Sequence, residues 1–183
     1  MLKKVVVVDY QKEWKQAFEV MKTFFQRNID IPNIQIEHIG STSVEGLSAK
    51  PIIDIVIVVD SKQEFEKVKK ALENIHYTHT GDQGIKDREA FKLTKPGDFY
   101  NHHLYVALRG SLGLKNQLTF RDHLREHPED VQRYGDLKKE LARQFPDDMA
   151  SYIEGKTEFV ISILKQYNFD EDELEEIISI NKK

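Results

Sequence analysis

The chain has 183 residues, no cysteine and a formal net charge of −4. That length suits one domain with a real core, and the lack of cysteine excludes disulfides and thiol catalysis and leaves metal to His, Asp and Glu. The acidic balance argues against general nucleic-acid binding, which needs a basic face. No apolar run approaches a membrane span, and the run at residues 5–8 is too short for a signal peptide, so a cytoplasmic protein is expected.

Residues 5–8 read as a short strand or extended arm. Trp14, Phe18, Met21, Phe24 and Phe25 recur at helical spacing, which predicts a helix over 11–27. Asp30-Ile31-Pro32-Asn33 marks a turn, 34–39 a strand, and 40–49 a loop with at most one helical turn. Residues 52–59 are almost all β-branched and predict a strand buried on both faces. Asp60 and Ser61 offer N-cap chemistry to a helix ending near Asn74. Residues 77–84 read as a polar connection, and 89–94 with 101–108 as an antiparallel pair joined by Lys95-Pro96-Gly97-Asp98. Helices follow over 115–126, 128–143, 147–167 and 172–180, with Pro128 and Pro146 placed where helices can start. The expected organisation is an α+β half, residues 1–110, and a helical half, residues 111–183, packed as one unit.

The informative segment is IEHIGSTSVEGLSAKPIIDIVIVV, residues 36–59. A strand running into Gly40-Ser41-Thr42-Ser43 can offer backbone N–H groups and hydroxyls to a phosphate chain, and glycine lets the backbone approach closely. Asp54 is a lone carboxylate in an apolar strand, costly there unless it is partnered. A strand-borne acid beside such a turn is the geometry of metal-assisted phosphoryl or nucleotidyl transfer. The competing readings are a surface turn, and an Asp54 satisfied by backbone N–H groups or by Lys50.

Gly-Ser followed by an acid-bearing strand resembles the nucleotidyltransferase superfamily. More closely, EHIGSTSVEGLSAKPIIDI, DREAF, NHHLYV and FRDHLREHPEDVQRYGDLKKELA resemble the GrpB family, also called UPF0157, over about residues 6–164. The resemblance implies a mixed β-sheet flanked by helices, with a C-terminal helical bundle. It implies a nucleotide or another phosphorylated small molecule held at Gly40, Ser41 and Ser43. It also implies Mg²⁺ or Mn²⁺ at Asp54 and nucleotidyl transfer to a small hydroxyl or amine acceptor. The superfamily signature places its two acids twelve and fourteen residues past the glycine, and these positions are Ile52 and Asp54 here. The two-carboxylate clamp is therefore broken, which favours a second reading: a catalytically silent binding module on the same fold.

Other groups must complete a metal shell if there is one. Glu37, His38, His102 and His103 are available, and alternation puts the members of each pair on opposite sheet faces. Proximity to the turn favours Glu37 and His103 as catalytic and metal-facing partners of Asp54. Lys50, Arg88 and Arg121 are the candidate phosphate contacts. Tyr152 and Lys156 share a helix face that can point into the cleft. His123-Leu124-Arg125-Glu126-His127 matches an inverted zinc-peptidase motif, but Pro128 and the charged surroundings mark it as accidental.

Overall fold

The structure, a computed structural model, describes residues 4–95 and 97–182. Helix α1, Glu13–Asn28, lays Trp14, Phe18, Met21 and Phe25 along one stripe and buries all four. Strand β1 is Gln35–Ile39, and β2 is Ile53–Val59, in which every residue except Asp54 is buried. Helix α2, Lys62–Asn74, is capped by Ser61, whose side chain accepts from Glu64 N–H. Strands β3, Tyr77–His79, β4, Arg88–Leu93, and β5, His102–Leu108, complete the sheet. Helices α3, Leu112–Glu126, α4, Pro128–Gln144, α5, Met149–Leu164, and α6, Glu171–Asn181, follow.

The sheet order is β1-β2-β5-β4-β3. Among the described residues only β2 and β5 run parallel, so the sheet is mixed and the architecture is α+β. One face is covered by α1 and α2, which pack Trp14, Phe25, Val68 and Leu72 on Ile53, Ile55 and Ile57. The other face packs Ile39, Val56, Val58 and Ala107 against Leu114 of α3. The residues predicted at 5–8 form an arm that pairs with the loop at Ala49 through the Val8 bridge. Val5 N–H donates to Pro146 O at 2.7 Å, tying the chain's start to the α4–α5 turn.

Strand β3 lies within the stretch expected to be a polar connection. At three residues it is too short to show a period, and its pairing with β4 is what makes it a strand. The expected turn after β4 includes Pro96, which lies outside the described residues. Among the described residues no helix is long and apolar enough to cross a membrane.

Candidate functional site

Register decides which of the four Glu and His candidates share a face with Asp54. Ile39 pairs with Asp54, and Asp54 with His103, so Glu37, Asp54 and His103 lie on the α3 face. His38 and His102 lie on the α1 face. There His38 stacks on Phe18 with ring centroids 4.6 Å apart. Its Nε2–H donates to Thr42 Oγ1 at 3.0 Å, and that hydroxyl donates to Ile52 O at 3.2 Å. This chain pins the turn to the start of β2. Burial pushes the His38 pKa down to about 4, so it stays neutral in this role. His102 is likewise structural: its Nδ1–H donates to Tyr100 O, and its Nε2 accepts from Tyr77 OH at 2.7 Å.

Asp54 is answered by His103, whose Nδ1–H donates to Asp54 Oδ1 at 2.9 Å. That bond orients the imidazole and leaves Nε2 as the other ring nitrogen. Gly40 lies directly against the same carboxylate. Its φ of 69° and ψ of −175° fall in a region open essentially to glycine alone. A Cβ there would overlap Asp54 Oδ2 and sit 3.1 Å from its Cγ. The expected helical turn is a single 3-10 turn, Ser41–Ser43.

Beside this turn and Asp54 opens a pocket of about 330 Å³ between the sheet and helices α3, α4 and α5. Lys50, Ser41 and His103 line it, and so do residues that composition and spacing did not single out. Lys138 is the chief of these. Only 2% exposed, it donates from Nζ to Ser41 Oγ at 2.8 Å and lies over the Tyr134 ring at 4.6 Å. Lys156 lies over the Tyr152 ring at 4.5 Å. Lys50 lies 5.8 Å from the centre of the same ring. Burial pushes Lys138 well below the ordinary lysine value, with Lys156 and Lys50 adding to the fall. Burial and Lys50 push Lys156 down to about 8. Tyr152 and Lys156, expected on a cleft-facing helix side, do line the pocket, and a signal for Lys138 existed too: Tyr134 and Lys138 on α4 repeat the Tyr-x-x-x-Lys of Tyr152 and Lys156 on α5, the spacing that stacks one side chain on the next.

Other predicted site residues are used elsewhere. Glu37 was expected to complete a metal shell. Instead its carboxylate accepts from Arg121 Nη1 at 2.7 Å and from Gln35 Nε2 at 2.9 Å. Burial alone would raise its pKa, and these bonds overcome that and hold it below the usual range, so it is an ionised partner of Arg121. Arg121 reaches the pocket wall but also donates to Asp122 and to His38 O. Arg88 stacks on the Tyr105 ring at 4.2 Å, buried beneath the sheet face. Ser43 turns away from the pocket and donates to Gly40 O at 2.6 Å. It lines a wider cleft, about 700 Å³, on the other side of the turn, beside His38 and Arg125. The zinc-like motif is also committed: His123 donates to Asp130 Oδ2 and bonds Tyr167 OH, each at 2.9 Å, and His127 stacks on its ring.

The donors near Asp54 do not fit a resident divalent ion. Among the described residues the Asp, Glu and His side chains on the pocket wall number two, Asp54 and His103, while Ile52 on the same wall supplies no donor and Glu37 is bound to Arg121. Among the described residues no three metal-ligating side chains cluster.

Comparison with known proteins agrees with this architecture. Residues 4–166 match the family model of the GrpB protein. The chain belongs to the GrpB family. It is 36% identical over 158 residues to the UPF0157 protein YqkA of Bacillus subtilis, covering 86% of this chain and 46% of that protein, so it spans about half the length of that GrpB relative. It is 33% identical to the glutamate-rich protein GrpB of Alkalihalophilus pseudofirmus, over 88% of this chain and 95% of that one. The crystal structure of GrpB from Enterococcus faecalis superposes with a TM-score of 0.75 at 31% identity, covering 93% of this chain and 98% of that chain. Two more distant likenesses show the nucleotidyltransferase-like fold. The GLD-2/RNP-8 complex gives a TM-score of 0.55 at 12% identity, over 88% and 62% of the two chains. The Mg 3'-dATP-bound Cid1 poly(U) polymerase gives 0.53 at 13%, over 86% and 50%.

Proposed function

We propose that this GrpB protein binds a nucleotide or another phosphorylated small molecule at the Gly40–Ser41 turn and transfers a nucleotidyl group to a small hydroxyl or amine acceptor. The observation that carries the reading is the turn itself. Gly40 is pressed against Asp54, Asp54 holds His103, and all three border one pocket on a nucleotidyltransferase-like fold.

In this reading Ser41 and the turn backbone hold the phosphates. Asp54 fixes the His103 ring, and Nε2 accepts the acceptor's proton, a general-base role that needs an oriented, neutral imidazole. The acceptor oxygen or nitrogen attacks the α-phosphorus, the bond to the bridging oxygen of the β-phosphate breaks, and pyrophosphate leaves. Closure of the pocket by α5 would limit competing attack by water.

The test is transfer of an α-labelled nucleotide, from an ATP and GTP panel, to small acceptors with and without Mn²⁺. His103→Gln and Asp54→Asn are expected to lower turnover roughly 100-fold or more while nucleotide binding persists. The second reading, a silent binding module, is favoured by Ile52 and by the Glu37–Arg121 pair. Nucleotide binding with no turnover under any of these conditions selects it.

Ile52 gives a further test of the same site. Its side chain is half-buried and lines the pocket, so a carboxylate there faces the cleft and not the core. Ile52→Asp is expected to tighten Mn²⁺ binding at least tenfold in calorimetry, with a melting temperature near that of the parent. Unchanged Mn²⁺ affinity in a folded variant would rule out a latent clamp at Asp54.

A further inference from the structure

Three ammonium groups reach the pocket that Asp54 borders: Lys50 from the loop before β2, Lys138 from α4 and Lys156 from α5. No carboxylate of the described residues lies within ion-pair distance of Lys138 or Lys156. Lys138 and Lys156 instead rest on the faces of Tyr134 and Tyr152. Such contacts steady a cation but leave its net charge in place. Asp54, the one carboxylate of the described residues on the pocket wall, is already bonded to His103. Arg121, the remaining cation there, is engaged by Glu37 and Asp122. Lys138 and Lys156 thus face the pocket without a carboxylate partner among the described residues, in a chain of net charge −4.

Burying amino groups without a counter-charge is unfavourable. The falls in the pKa values of Lys138 and Lys156 record that cost. An incoming anion removes it, because an opposite charge at hydrogen-bond distance favours the ammonium form. A divalent cation entering alone meets the reverse: the two donors Asp54 and His103 beside the like-charged ammonium groups of Lys138 and Lys156.

We propose that this pocket binds the phosphate chain of its ligand without a divalent ion, with Lys138 and Lys156 meeting the negative charge. The inference rests on the phosphorylated-ligand reading above and deepens it. Ser41 is the pivot, since its hydroxyl already accepts from Lys138 and both groups can turn to a phosphate oxygen. Two sources of the chemistry are open, a nucleoside triphosphate and an inorganic phosphate chain.

The experiment is calorimetric titration of the full chain with inorganic triphosphate and, separately, with ATP and GTP. Each titration is run in excess EDTA and again with Mg²⁺. Binding in EDTA is expected, at an affinity within a fewfold of that in Mg²⁺. Lys138→Met and Lys156→Gln are each expected to weaken it at least tenfold, the loss of one charge-assisted bond to phosphate, while Lys156→Arg retains it. Lys156 is only half-buried, so its variants keep the test alive if Lys138→Met fails to fold. Tighter binding of ATP or GTP than of triphosphate assigns the rest of the pocket to a nucleoside; equal affinity assigns it to the phosphate chain, and both support the site. Binding seen only with Mg²⁺ overturns this inference and leaves the proposed function standing. Unchanged affinity in both lysine variants overturns the lysine assignment. No binding with or without Mg²⁺ overturns both readings.

Discussion

Gly40→Ala is expected to abolish triphosphate binding and to destabilise the protein. Two independent effects act in the same direction. The φ of 69° with ψ of −175° is a backbone state that a side chain tolerates at a cost of about 1–3 kcal/mol. The added methyl also overlaps Asp54 Oδ2, so either the turn or the carboxylate must move. Moving the carboxylate breaks its bond to His103. Moving the turn displaces Ser41 from Lys138 and Thr42 from His38 and Ile52 O. Urea denaturation should give a lower midpoint, and calorimetry with triphosphate should give no heat. Asp54→Gly, combined with Gly40→Ala, removes the overlap but not the backbone strain and should recover only part of the stability. A single Gly40→Ala variant with parental midpoint and affinity would show that the turn does not require glycine.

Trp14→Ala is expected to produce the largest loss of stability, about 3–5 kcal/mol, as for other fully buried large aromatics. Trp14 has no exposed surface and sits where α1 meets the sheet. Its indole Nε1–H donates to Tyr100 OH at 3.1 Å, and Tyr100 OH donates to Gln11 Oε1 at 3.3 Å. Tyr100 O in turn accepts from His102, the neighbour of His103. The cavity thus loosens the segment that delivers β5 to the pocket. Trp14→Phe keeps most of the volume and loses the indole donor, so a smaller loss, about 1–2 kcal/mol, is expected. Equilibrium urea unfolding of both variants separates the packing part from the hydrogen bond. Equal losses for Ala and Phe would mean that the hydrogen bond and not the burial dominates.

Much of the architecture was written locally. The stripe of Trp14, Phe18, Met21 and Phe25 dictates an amphipathic helix whatever it packs against. The β-branched run before Val59 dictates a buried strand, and Pro128 begins a helix because its missing N–H is one that a first turn does not use. The order of Gly40 and then an acid-bearing strand also anticipates the contact between the turn and Asp54. These features depend on backbone preference and on periods of two or 3.6 residues, which a sequence carries within a few positions.

The composition of the site was a matter of tertiary structure. Which of Glu37, His38, His102 and His103 meets Asp54 follows from pairing register, and register between β1, β2 and β5 joins residues far apart in the chain. Glu37 lies on the expected face, yet α3 brings Arg121 onto it and takes it out of any ligand set. Ser43 lies in the expected turn, yet one 3-10 turn rotates it to the opposite cleft. Lys138 lies 97 residues from Ser41, and only the packing of α4 against that turn makes the two a pair. The sequence by itself determined the helices, the buried strands and the glycine turn, because local sterics and hydrophobic period are short-range. The tertiary structure alone decided that Lys138 meets Ser41 and that Arg121 takes Glu37, because burial and charge balance are properties of what the folded chain brings together.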